Sequence, residues 1–212
     1  IVPLINGMIR VGNQEEKETL FEAFINPMKQ VPSTKRGHKP GDEENICAQA
    51  VRICANAKNR QDKLKEKISE LLDIQIQNYC LDTHKIIIVD GTDVDYDSEL
   101  TGLIAMQLAA RYHKPILLGK RSNDNMLKGS IRNCANSPIT GLKSVLLQSN
   151  LFDYVTGHEN AAGFGINLND IDKFIEWADS TLQDTDFNNG YYEVDILTHS
   201  MDGYLADIVE TF

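Results

Sequence analysis

Residues 154–166 read "YVTGHENAAGFGI". A histidine stands behind a glycine, and two alanines and two further glycines follow, so His158 has almost no side-chain bulk around it. Two arrangements suit such a stretch. One is a turn that enters a packed helix and leaves the histidine in solvent. The other is a concavity in which a ligand comes close to the backbone, because glycine lets main chain and ligand approach where a Cβ would intervene.

On both sides of this stretch strands and helices alternate. "HKIIIVDG" is a short, continuously apolar run of the kind found in a sheet covered on both faces. Helix follows through "SELTGLIAMQLAARY", then strands "PILLGK" and "MLKGSIRN" and a helix around "GLKSVLLQS". After the opening stretch come strand "GFGINL", helix "NDIDKFIEWADSTL", strand "YYEVDIL" and helix "MDGYLADIVETF". This predicts a compact α/β domain over residues 79–212, with a mixed central sheet flanked by helices.

Upstream, "IVPLINGMIRVGN" reads as a loop and "QEEKETLFEAFI" as a short helix. "NPMKQVPSTKRGHKPGD", with three prolines and two glycines, reads as a connector that closes a first segment at residue 41. Asp42 is expected to cap the next helix, with Glu43 and Glu44 in its first turn. Ile46, Ala50, Ile53, Ala57, Leu64, Ile68 and Leu71 recur mostly three or four apart, so residues 42–78 are expected to form one long connecting helix. At about 1.5 Å per residue it would span roughly 50 Å, the length of a strut between two bodies.

Composition sets bounds. A hydrophobic content of 42% is enough for a core and excludes wholesale disorder. No apolar run approaches the roughly 20 residues of a membrane span, and no basic-then-apolar leader is present. The chain opens on Ile1 rather than methionine, as expected of a fragment. Cys47, Cys54, Cys80 and Cys134 show no C-x-x-C spacing, which points to reduced thiols in a cytoplasmic protein.

The net charge of −10 is unevenly distributed. Residues 102–149 carry Arg111, Lys114, Lys120, Arg121, Lys128, Arg132 and Lys143 against the single acid Asp124. Residues 150–212 carry thirteen acids against Lys173 alone. A basic island within an acidic chain can attract an anion locally; the acidic C-terminal region is a candidate surface for a protein partner.

Some tempting motifs fail. "DGTDVDYDSE" begins like a calcium loop, but Ser98 and Ile104 stand where that loop needs glycine and glutamate. "LLGKRS" ends like a phosphate loop, but Lys114 holds the place of its first glycine. The five histidines are scattered, and no metal-ligating cluster is legible.

Three segments succeed together. In "IVPLINGMIRVGN", Pro3, Ile5, Asn6 and Arg10 match an Ile-Gly-Pro-x-Ile-Asn-x-x-x-Arg pattern; in "LKGSIRN", Gly129, Ser130 and Arg132 match Gly-Ser-x-Arg. In "TGHENAAGFGI", Gly157, His158, Ala161, Ala162 and Gly163 match Gly-Gly-His-x-x-Ala-Ala-Gly, with Thr156 in place of the first glycine. "NRQDKLKEKI" is similar to an Asn-x-x-Arg-Gln segment of a linking helix. In this order they resemble RecJ-type single-strand-specific exonucleases of the DHH phosphoesterase superfamily. "DVDYDSELTGLIA" stands where that family has His-Pro-x-Val-x-Gly-Ile.

The resemblance implies that residues 1–41 are the tail of a catalytic DHH domain and residues 79–212 a DHH-associated, substrate-binding domain. It implies 5′-to-3′ hydrolysis of single-stranded DNA with manganese or magnesium. The metal motifs are expected outside this chain, whose catalytic and metal residues are therefore expected to be none. The implied substrate contacts are Asn6, Arg10, Lys128, Gly129, Ser130, Arg132, Thr156, Gly157 and His158. Glycine N–H groups at the turn, and the positive end of a helix expected after it, would cradle phosphate, with Ala161 and Ala162 letting that helix pack closely. Two other readings fit the same residues: a phosphodiesterase for short oligonucleotides or cyclic dinucleotides, and a non-catalytic nucleic-acid-binding or protein-docking module.

Overall fold

The computed structural model describes residues 1–187. Its first element corrects the expected loop: Val2–Val11 is a helix, α1. Pro3 lies in its first turn, where no intrahelical N–H is required, so proline starts the helix instead of breaking it. Helix α2, Gln14–Ile25, follows as expected, and Asn13 and Glu16 close a reciprocal capping box at its start.

The connector also differs from expectation. Gln30–Pro32 (β1) pairs antiparallel with Glu43–Asn45 (β2), so Glu43 and Glu44 lie in a strand and not in a helical first turn. The cap of the long helix is Asn45, whose side chain accepts from the Cys47 N–H, and not Asp42. Asp42 instead accepts from the Lys39 N–H. The ribbon forms because Glu44 is pulled inward: its carboxylate, 1% exposed, meets Arg52 of the long helix in two hydrogen bonds of 2.7 and 2.5 Å.

That helix, α3, runs from Ile46 to Asn78 in one piece of 33 residues. It carries two apolar environments. Cys54 and Ala57 pack with Met8 of α1, whereas Ile68, Leu72 and Ile76 enter the main core. Val11 touches both, which seats the end of α1 against the main core.

The main core is built on a five-stranded sheet in the order β3-β4-β5-β7-β6. The strands are Ile87–Asp90 (β3), Ile116–Ser122 (β4), Met126–Arg132 (β5), Phe152–His158 (β6) and Ala161–Asn167 (β7). β3 and β4 are parallel, joined by helix α4 (Thr101–Tyr112); all other pairs are antiparallel. α4 packs on β4 and β5. On the opposite face Phe152 meets Phe164 edge-on at 6.1 Å and Phe174 of α6 (Ile171–Thr181) edge-on at 4.8 Å. The short helix α5, Leu142–Gln148, lies beside β6. This is the expected mixed sheet flanked by helices.

The opening stretch needs correction. No helix follows His158: Glu159 and Asn160 link β6 to β7 as a tight hairpin, and Ala161 and Ala162 lie within β7. The run that follows alternates small with large apolar residues, and Ala162, Phe164 and Ile166 bury one side of the strand. The expected strand "YYEVDIL" and helix "MDGYLADIVETF", with much of the acidic C-terminal region, lie outside the described residues. No described helix is long and apolar enough to cross a membrane.

Candidate functional site

Side chains alternate across a strand, and directly paired residues share a face. The register therefore sorts the sequence candidates. Lys128, Ser130 and Arg132 of β5 lie on one face, opposite Gly165, Gly163 and Ala161 of β7. Those in turn oppose Tyr154, Thr156 and His158 of β6. The result is a strip of sheet with a floor of glycine and alanine. Lys128, Ser130 and Arg132 border it on one side, and tyrosine, threonine and histidine border it on the other. α4 covers the neighbouring strands and leaves Thr156 and His158 exposed.

At one end of the strip several candidates converge. A Cβ placed on Gly102, in the first turn of α4, would lie 2.3 Å from the Arg132 Nη2 and 3.5 Å from the Ser130 Oγ. Glycine at 102 is thus what lets Arg132 lie across the start of α4. Arg10 reaches the same place from α1, donating to the Glu99 carbonyl oxygen just before that helix. Burial, and then the neighbouring Arg10 guanidinium, push Arg132 down from the usual arginine range. Neither arginine forms an ion pair among the described residues; Arg132 donates only to the backbone oxygen of Ile131, at 2.7 Å. Two guanidiniums and a hydroxyl beside a helix N-terminus, with no carboxylate among them, make a place for an external anion.

Other candidates have different positions. Asn6 is exposed on α1, one turn before Arg10 and on the same side of the helix. Lys128 pairs with Asp124, which holds its ammonium above the ordinary lysine range. Gly129 faces away from the strip: a Cβ there would sit 1.9 Å from the Leu118 oxygen, so its glycine serves the close approach of β4 and β5. Gly157 has φ +136°, a backbone region that favours glycine, and its carbonyl accepts from the Lys143 Nζ at 3.2 Å. The hairpin tip is held from below. Glu159 accepts from the Ser144 hydroxyl at 2.9 Å, and Asn160 accepts from the Asn133 amide at 3.0 Å.

Two cations of the basic island are neutralised by acids remote in sequence, and others are held by backbone carbonyls. Arg111 pairs with Asp73 and Arg121 with Asp90. Lys114 donates to the carbonyls of Asp82 and His84, and Lys120 donates to the Tyr96 carbonyl while lying over its ring. Sequence reading missed Gly102, Gly163 and Tyr154 as parts of the site. The two-residue spacing of Tyr154, Thr156 and His158 was the available signal for one shared face.

No protein-family model matches the chain. The chain is 38% identical over 169 residues to YorK of Bacillus subtilis (strain 168), a protein named by inference as an SPbeta prophage-derived single-strand DNA-specific exonuclease. The same figures hold for its counterpart in Bacillus phage SPbeta. In fold the chain is RecJ-like. RecJ of Thermus thermophilus, solved with Mn2+, superposes with a TM-score of 0.55 over 87% of this chain at 17% identity, which bears on the fold alone. The Mg2+ form of that protein gives 0.54 over the same share at 18% identity. The chain spans 29% of the length of its curated relatives and 24% of that of Thermus RecJ.

Those RecJ structures hold Mn2+ or Mg2+. The residues described here do not fit such an ion: no three of His, Cys, Asp and Glu converge where one could be held.

Proposed function

We propose that this chain is the C-terminal, substrate-gripping portion of a RecJ-like single-stranded DNA exonuclease. In the intact protein the 5′-to-3′ hydrolysis of phosphodiester bonds depends on a divalent metal held outside this chain. The chain's own residues bind and orient. Arg10 and Arg132 grip a phosphate at the start of α4, with the Ser130 hydroxyl beside them. Arg10 carries that grip from α1 to the start of α4. Thr156 and His158 line the far side of the strip, where the imidazole can donate to phosphate or lie against a base.

The observation that carries this reading is the paired guanidiniums without a carboxylate. A half-buried arginine beside a second arginine is disfavoured unless an anion completes it, and nucleic-acid phosphate is the anion that the relatives' names indicate.

Fluorescence anisotropy of a 5′-labelled oligothymidylate titrated with the chain tests it. With three or four phosphates held, log affinity should fall against log salt with a slope of roughly −2 to −3, at about −0.7 per phosphate on single strands. Arg10→Glu with Arg132→Glu should abolish binding at moderate salt. Salt-independent binding, or binding untouched by the double variant, would overturn the assignment.

A further inference from the structure

Tyr154 is the largest side chain on the open part of the strip. Its ring lies along the sheet: a Cβ on Gly165 of the neighbouring strand would fall 2.4 Å from the Tyr154 Cε1 and 2.9 Å from its Cζ. The Met126 Cε reaches the same point, at 2.8 Å. Glycine at 165 is therefore what allows the ring to rest on backbone. The ring is in contact with β7, yet the residue stays 40% exposed. Among the described residues it stacks on no other aromatic ring and makes no side-chain hydrogen bond. Across Gly165, two strands away, Lys128 is level with it.

Position along the strip gives this ring a meaning. Register puts Tyr154 level with Lys128, and His158 level with Arg132. The two ends of the β6 row are four residues apart, about 13 Å at roughly 3.3 Å per residue. A strand whose phosphate is gripped at Arg10 and Arg132 and which continues along the glycine floor passes Tyr154 at an inner nucleotide. An exposed ring resting beside a glycine floor is a platform for a nucleobase, because every base has a π-face and stacking tolerates sequence.

We infer that Tyr154 is a base-stacking platform that holds an inner nucleobase of the strand gripped at Arg10 and Arg132. The inference rests on the proposed reading of that site. It adds that the protein takes hold of bases as well as phosphates, so a strand lacking one inner base is held more weakly at the same charge.

Eight-nucleotide thymidylate strands, each with 2-aminopurine or an abasic residue at one position, test this on the 212-residue chain. Quenching of 2-aminopurine should peak at one inner position. An abasic residue there should weaken binding by about tenfold, the effect of one stacked base. Tyr154→Ile keeps a strand-forming residue without a π-face; it should lose the quenching and the same tenfold, with the salt slope unchanged. Tyr154→Phe should retain both.

Equal binding of intact and abasic strands at every inner position overturns the inference and leaves the phosphate grip standing. The abasic comparison uses the unaltered protein, so it decides even if Tyr154→Ile melts early. Failure of the unaltered chain to bind the strand at all overturns the reading of the site, and this inference with it.

Discussion

Two arginines, Arg52 and Arg132, show how differently one fold treats the same charge. Arg52 points from α3 into the β1–β2 ribbon and meets the Glu44 carboxylate in a forked pair, with a further bond of 2.7 Å to the Thr34 hydroxyl. Glu44 also accepts from the Thr34 N–H at 2.9 Å and the Gln49 amide at 3.2 Å, and the Lys35 ammonium lies 3.6 Å away. Arg132 is half-buried as well, but its charged neighbour is another guanidinium. The first arrangement is complete within the chain and fastens the ribbon to the helix. The second is left incomplete, and a charge without its counter-ion in a polar recess is how a protein prepares to receive one.

The largest expected contrast is in binding. Exchanging Arg132 for Glu should lower affinity for single-stranded DNA by about a hundredfold or more at low salt, roughly two charge-assisted contacts' worth. Arg52→Glu, at the β1–β2 ribbon, should leave the affinity of the folded protein within about twofold, on the order of an exposed-site effect. Anisotropy on both variants decides, and equal losses would erase the distinction.

Stability should reverse the order. Glu44→Gln removes the negative charge facing Arg52 and one of its two acceptor oxygens, and should cost about 2–3 kcal/mol, less than the loss of a fully enclosed pair because Arg52 retains some contact with water. Arg132→Met removes an unpaired charge and should change stability by no more than about 0.5 kcal/mol, or raise it. The hydrogen-bonded Arg52 holds Glu44 well below the usual carboxylate range. A depressed folded-state value means that its stabilisation is complete above the unfolded-state value and is lost as pH falls toward the folded one. The gap in melting temperature between the parent and Glu44→Gln should thus be widest near pH 7 and narrow below about pH 4. A gap that widens in acid contradicts this assignment.

The smallest effect sharpens the site itself. His158 is exposed and donates to no described group, so His158→Ala should leave the melting temperature unchanged. Loss of one charge-assisted contact should weaken strand binding by roughly tenfold. A drop of several degrees in melting would instead make His158 a support of the hairpin.

Legibility in the sequence followed the range of the forces. The strand–helix alternation from Ile87 to Thr181 and the single run of α3 were readable because periods of two and 3.6 are local. α1 was misread because Pro3 and Gly7 look like breakers; proline in a first turn costs nothing, and Gly7 lies directly against Lys58 of α3. The β1–β2 ribbon was hidden because its stability lies in Glu44 and Arg52, a contact that composition does not report.

For the site, residue types and their order are written in the chain: Arg10, the Ser130–Arg132 pair, the run of small residues around His158, and a surplus of cations between residues 102 and 149. Only the tertiary structure decided which of those charges remain free, because Asp73 and Asp90 neutralise Arg111 and Arg121 across long stretches of chain. Only the register of β5, β7 and β6 decided which candidates share a face: Ser130 turns to the strip and Gly129, one residue earlier, to β4. The physical reason is the pleat. A strand fixes that neighbours point opposite ways, but which way is set by the helix that packs on one side, and α4 and α6 are brought there from opposite ends of the sheet's own stretch of sequence.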